Sequence, residues 1–380
     1  MQPMAIEDGY FHLGGASVSD TCLAAVFVGA ESPLELQEFK IPDVKPGNIL
    51  IKMNMAAVCG TDAHNWYNPE APNPIIWGHE NIGQIAKLGS QAKRDILGMP
   101  LHEGDRVLFH SAPCGHCYNC IMSLRCTNSI HYGNSKVDRN SDTMLRGGFG
   151  EYMLLDPDPA IIRVPDEMST ERALMSVIGN HTVMGGLRKI DGPTQGDTVV
   201  VQGVGPIGMG ALIQSNVRGA AAVIMIGGPS HRLDLAKELG ATQVIDIHEY
   251  PTPEARIRRV KELTGAGPDL VIEASGAKTS VHEGLQMVRY GGKYLVIGLI
   301  LPTSVEMDPS AIAAKDLIVA GVVGSKVENI IRSMRVMQSR IDVPIEKMIT
   351  HQYPLANVNE ALQSHVDLSA MVPVVNHTLS

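Results

Sequence analysis

The chain has 380 residues, 44% of them apolar, with 38 glycines and a formal charge of −9. That length exceeds one ordinary core and sets two domains as the expectation, and the apolar content excludes a disordered or fibrous chain. The acidic balance argues against a surface for nucleic-acid phosphates, and no apolar run reaches the roughly 20 residues of a membrane helix.

Residues 1–20 read as a loose lead-in, with acids where a secretory leader would carry lysine or arginine, so a cytoplasmic protein is expected. Residues 21–180 show short β-type runs, "LAAVFVG", "NILIKMNMAAV", "DRVLFH" and "GEYMLL", split by Gly, Pro and Asp. This is the pattern of an irregular, mostly β domain. A helix is expected over Thr170–Ile190. Residues 181–325 then alternate strand and helix, which indicates a parallel sheet covered on both faces. Residues 326–380, including "MITHQYPLANVNEALQSH", return towards the first domain.

Four of the six cysteines fall in "CGHCYNCIMSLRC": Cys114, Cys117, Cys120 and Cys126. Closely spaced thiolates on a turning loop give Zn²⁺ four soft ligands in a tetrahedron. Four protein ligands leave no open position, so such a zinc is structural. Free or disulfide-paired cysteines and an iron–sulfur cluster are the competing readings. Cys22 stands apart and reads as a small buried apolar residue.

"VVVQGVGPIGMGALIQ" places Gly203, Gly205 and Gly208 in G-x-G-x-x-G spacing between an apolar strand and a helix. The turn, with Pro206 and Ile207 as further cofactor-binding candidates, suits a dinucleotide pyrophosphate at the helix N-terminus. The acid expected about 20 residues on, to grip the ribose, is absent. The strand end reads Gly227-Gly228-Pro229-Ser230-His231-Arg232. Gly228 removes repulsion against a 2′-phosphate and Ser230, His231 or Arg232 could bind one, which leans NAD(P) towards NADP.

"CGTDAH" (Cys59–His64), "GHENIG" (Gly78–Gly83), "GGFGEY" (Gly147–Tyr152), "PDLVIEASG" and "GGKYLVIG" complete the set. With the cysteine lobe and the glycine turn they resemble the zinc-dependent alcohol dehydrogenases of the medium-chain dehydrogenase/reductase superfamily. The motifs run in the same order from about residue 25 to the end. The resemblance implies an α/β fold, a GroES-like β catalytic domain joined to a Rossmann doubly wound parallel sheet. It implies a catalytic zinc on Cys59 and His79, with Glu80 as an adjacent carboxylate or exchangeable ligand and Asp62 orienting the histidine. Thr61 would touch the substrate oxygen and begin a proton relay that His64 passes to solvent. Two zincs per chain, NAD(P), a small alcohol or carbonyl substrate, and a homodimer or homotetramer through "DLIVAGVVG" follow from the same likeness.

Two positions depart from the family pattern. Ile178, four residues before Thr182, stands where the family carries a third zinc ligand, which leaves Glu80 or His181 to complete the sphere. Five residues rather than the usual seven separate Cys120 from Cys126, so a tightened lobe is expected. Ile178 prompts a rival reading, a reductase of activated double bonds that keeps only the structural zinc; a silent NADPH-binding protein is another. Trp66, Tyr67 and Trp77 suit a substrate pocket or plain core, and His181 and Glu273 suit the cofactor crevice or packing.

Overall fold

In the computed structural model, which describes residues 20–124, 126–134, 143–299, 304–305, 307–324 and 326–379, six strands form one parallel sheet. Their order across the sheet is Gln243–Asp246, Ala222–Gly227, Thr198–Gln202, Leu270–Glu273, Lys293–Val296 and Ile318–Gly321. Nearly all of the expected lead-in lies outside the described residues. Along Thr198–Gln202 the side chains alternate: Val199 and Val201 pack with Met209 and Leu212 on one face, while Val200 packs with Ile224, Val271 and Val260 on the other. Chain order reverses direction between Thr198–Gln202 and Leu270–Glu273, and the crevice at the carboxyl ends of that pair is where such sheets take ligands.

The second large sheet runs His351–Tyr353, Pro373–Asn376, Ile49–Ala57, Glu80–Leu88, Arg106–His110 and Ala160–Arg163, with Tyr152–Leu155 also pairing Ile49–Ala57. The tail therefore closes onto the first part of the chain: Val375 lies opposite Ala56. A three-stranded sheet, Glu35–Lys40, Thr21–Phe27 and Ile75–Ile76, covers one flank. One apolar core joins the halves, from Met55, Ile82 and Leu108 through Leu174 and Ile178 to Val199, Met334 and Val374.

Five strands escape a reading by pattern: Glu35–Lys40, Ile75–Ile76, Glu80–Leu88, Ala160–Arg163 and Pro373–Asn376. Glu80–Leu88 carries Glu80 and Asn81 on buried positions and a register irregularity against Ile49–Ala57, so its alternation is blurred. The helix expected over Thr170–Ile190 is broken into Thr170–Leu174 and Asn180–Lys189. The break is at Gly179, whose φ of +70° suits glycine. Among the described residues no helix is long and apolar enough to cross a membrane.

Candidate active site

Strand Ile49–Ala57 delivers Cys59 to the N-terminus of helix Gly60–Trp66. The Cys59 N–H donates to Asp62 Oδ2 at 2.9 Å, which caps the helix and fixes both residues. The antiparallel neighbour begins at Glu80, directly opposite Ala57, so Cys59, His79 and Glu80 meet at one end of the sheet. Their ligand atoms all lie within 4.8 Å of one another. His79 Nδ1 faces Asp62 Oδ1 at 3.6 Å, and both atoms are buried without a hydrogen-bond partner. Asp62 is therefore positioned to orient the ring through Nδ1, which would leave Nε2 for a metal. The His79 side chain remains 21% exposed, so the site opens on one side.

The electrostatics match a dication. Burial, together with the Glu80 carboxylate, pushes the Cys59 thiol up. Burial also lifts Glu80 to about 7, against the pull of His79 and of the Gly179 N–H. Burial works against charge on His79, yet the Cys59 thiolate and the Asp62 carboxylate raise it well above the usual imidazole range. A thiol and a carboxylate both raised by burial, beside an imidazole, are a donor set Zn²⁺ accepts.

Ile178 is fully packed in the core and offers no ligand. Glu80 is the acid that joins Cys59 and His79; His181 is not part of that group. The Thr61 hydroxyl lies 4.0 Å from Cys59 Sγ, and His64 is exposed on the same helix. Two further histidines border the site. The register that pairs Ile82 with Leu108 carries His110 to the level of Glu80. The His110 ring lies edge-on to His181 at 6.4 Å, and burial, with His110 and His79 nearby, holds His181 down to about 3. The pairing register could have revealed His110; no local motif does.

The cysteine lobe closes on itself. Its sulfurs stand 3.6 Å apart for Cys114–Cys126 and 3.9 Å for both Cys114–Cys120 and Cys117–Cys126. Zn–S bonds of about 2.3 Å set tetrahedral edges near 3.8 Å, so the four thiols fit one zinc. Backbone N–H groups of Cys114, Cys120 and Asn128 point at these sulfurs, and those of Cys120 and Thr127 help pull Cys117 down to about 6.

The glycine turn has the cradle its spacing requires. A Cβ on Gly203, at φ +115°, would stand 2.7 Å from Ala274 O, and one on Gly208 would stand 2.1 Å from Gly203 O. A Cβ on Gly205 would meet nothing within 4 Å, the space a pyrophosphate needs. Pro206 starts the twelve-residue helix Pro206–Val217. Gly179 joins the two sites: its N–H reaches Glu80, and a Cβ there would stand 2.8 Å from Pro206 O and 3.2 Å from Ile207 Cα. The metal-ligand set and the nucleotide turn are therefore neighbours across one residue.

The remaining candidates fall in varied surroundings. Arg232 does not face the turn: it is buried, and its Nη2 donates to Leu368 O and Ala370 O at 3.1 and 2.6 Å. The Ser230 hydroxyl donates to Asp246 Oδ2 at 2.9 Å. Trp77 is core, stacked on Phe27 at 4.1 Å, and Trp66 donates its indole N–H to Ser32 O. Glu273 is fully buried and accepts from Ser275 and Gly276, which shapes the loop beside Gly203. Cys22 is buried, its thiol pushed up to about 11 chiefly by burial.

Known proteins resemble this chain over most of its length. A model of the alcohol dehydrogenase GroES-like domain matches residues 45–166 and one of the zinc-binding dehydrogenase domain matches 206–339. The chain is 32% identical to a 5-exo-hydroxycamphor dehydrogenase of Pseudomonas putida, over 94% of this chain and 99% of that one. It is 30% identical to an L-threonine 3-dehydrogenase of Rhizobium etli, over 91% and 96% respectively. An alcohol dehydrogenase structure from Thermotoga maritima superposes with a TM-score of 0.87 at 29% identity, covering 94% of this chain and 99% of that one. The chain therefore belongs to the zinc-dependent alcohol dehydrogenases of the medium-chain dehydrogenase/reductase superfamily, and its reaction is hydride transfer between an alcohol or carbonyl and NAD(P).

Proposed function

We propose that Cys59, His79 and Glu80 hold a catalytic zinc and that Cys114, Cys117, Cys120 and Cys126 hold a second, structural one. The observation that carries this reading is the convergence of the three ligands within 4.8 Å beside the Gly203–Gly208 turn. When bound there, zinc supplies Lewis acidity that lowers the pKa of an alcohol or polarises a carbonyl. The chain supplies the rest. Gly203, Gly205 and Gly208 admit the pyrophosphate, and the N-terminus of helix Pro206–Val217 binds it. Gly179 lies between that helix and Glu80, so a nucleotide held by the turn would sit beside the residues that would hold the zinc. Thr61 Oγ1 takes the alcohol proton, and exposed His64 on the same helix hands it to water.

Ile178 prompted the reductase with a structural zinc alone; Glu80 beside Cys59 and His79 supports the alcohol/carbonyl chemistry instead. The substrate is a small alcohol or carbonyl compound. Four thiols that must stay reduced to bind zinc favour a reducing, cytoplasmic setting. Strand Ile318–Gly321 is the sheet edge and exposes Ile318 and Val319, with Val323 just beyond it, which supports pairing with a second copy in a dimer or tetramer. Cys59→Ala is expected to lower kcat/KM by more than the roughly 10–100-fold lost with an outer hydrogen-bond partner. Steady-state rates over a panel of alcohols and aldehydes measure it, and unchanged turnover would overturn the assignment.

A further inference from the structure

Strands Ala222–Gly227 and Gln243–Asp246 run parallel, with Gly227 opposite Asp246 at their carboxyl ends. In dinucleotide folds the ribose of the adenosine half lies about 20 residues after the glycine turn, which here is Gly227-Gly228. No side chain reaches the ribose from that strand. The space is closed from the next one: a Cβ on Gly228 would stand 3.2 Å from Ile247 Cγ1 and 3.3 Å from His248 Nε2.

We propose that Asp246, reaching across from the neighbouring strand, makes this enzyme selective for NAD(H) by excluding the 2′-phosphate of NADP(H). This rests on Gly203–Gly208 being the dinucleotide turn. Two of the residues that could attract a 2′-phosphate are committed elsewhere. The Ser230 hydroxyl gives its proton to Asp246 Oδ2 at 2.9 Å, and the Arg232 guanidinium is turned to Leu368 O and Ala370 O. Asp246 Oδ1 accepts the His248 N–H at 2.8 Å. That N–H and the Ser230 hydroxyl hold the Asp246 carboxyl below its ordinary range, so the charge persists at neutral pH. The exposed His231 and the His248 ring are the remaining groups nearby, and the His248 ring already faces the Asp246 carboxylate.

A 2′-phosphate beside Ser230 therefore meets a fixed carboxylate and no free guanidinium. A 2′-hydroxyl meets a carboxylate with lone pairs still open, and can donate to it. The acid missing from the end of its usual strand is replaced by one that arrives from the side.

Nucleotide fluorescence titration of the zinc-replete full chain tests this by binding alone. NADH is expected to bind at least about tenfold more tightly than NADPH, equal to about 1.4 kcal/mol. Asp246→Asn keeps the shape and removes the charge, and is expected to close that gap about tenfold, through tighter NADPH binding together with weaker NADH binding. Asp246→Ser is a second variant should the first fold poorly. NADPH binding as tight as NADH in the unaltered enzyme, or a ratio that neither variant moves, would overturn the proposal. Binding of neither nucleotide would overturn the Gly203–Gly208 assignment, and the proposal with it.

Discussion

Gly179 serves two partners at once. Its N–H helps hold the Glu80 carboxylate, and its bare Cα lets Pro206 and Ile207 approach closely enough to seat the nucleotide helix against the metal ligands. A methyl group there would push on Pro206 O in a backbone conformation, φ +70°, that side chains adopt at a cost of about 1–3 kcal/mol. Gly179→Ala is accordingly expected to lower stability by that amount in denaturant unfolding and to weaken NADH binding. A normal NADH affinity in a destabilised protein would show that the two sites do not share this contact. Nothing in the run "SVIGNHT" marks the glycine as a junction, because its partners are about 100 residues before it and 27 after it. By contrast Cys59, Asp62, His79 and Glu80 were legible, since short motifs hold them and local capping and strand register bring them together.

Among the elements, the cysteine lobe was the most transparent in sequence and the broken helix the least. The lobe's ligands are local, so spacing alone anticipates sulfurs set for one tetrahedral ion, and the shorter gap before Cys126 leaves their distances intact. It exposes Tyr118, Ile121, Met122 and Leu124 and contributes no strand among the described residues, so a bound ion would hold its shape in place of a core. Cys120→Ser is expected to remove one zinc per chain, leave the other, and lower Tm by about 5 °C or more. Elemental analysis with a thermal scan checks both, and full metal content in the variant would contradict it. The helix over Thr170–Ile190 breaks because tertiary contacts at Gly179 outweigh helical propensity on either side. Glu80–Leu88 was missed for a related reason: its buried Glu80 and Asn81 serve the site and spoil the alternation that marks a strand.

At the scale of the whole molecule, two buried arginines fasten the tail to the rest. Arg172 grips Glu346 and the carbonyls of Met337, Arg340 and Val343, and Arg232 grips those of Leu368 and Ala370. The side-chain hydrogen bonds of both guanidiniums go to the C-terminal return and tie it to the rest of the chain. Arg232 read as a phosphate ligand because sequence gives position along a strand end but not the direction of a side chain. The parallel sheet was legible from the alternation of strand and helix; the pairing of Pro373–Asn376 with Ile49–Ala57 was not, since those runs are more than 300 residues apart. The two metal sites give the sharpest measurement: zinc per chain, by elemental analysis after dialysis, in the unaltered protein and in Cys59→Ala. Two zincs falling to one, with alcohol oxidation lost, is the expected result. One zinc in the unaltered protein, or two that survive the substitution, would contradict an ion held by Cys59, His79 and Glu80.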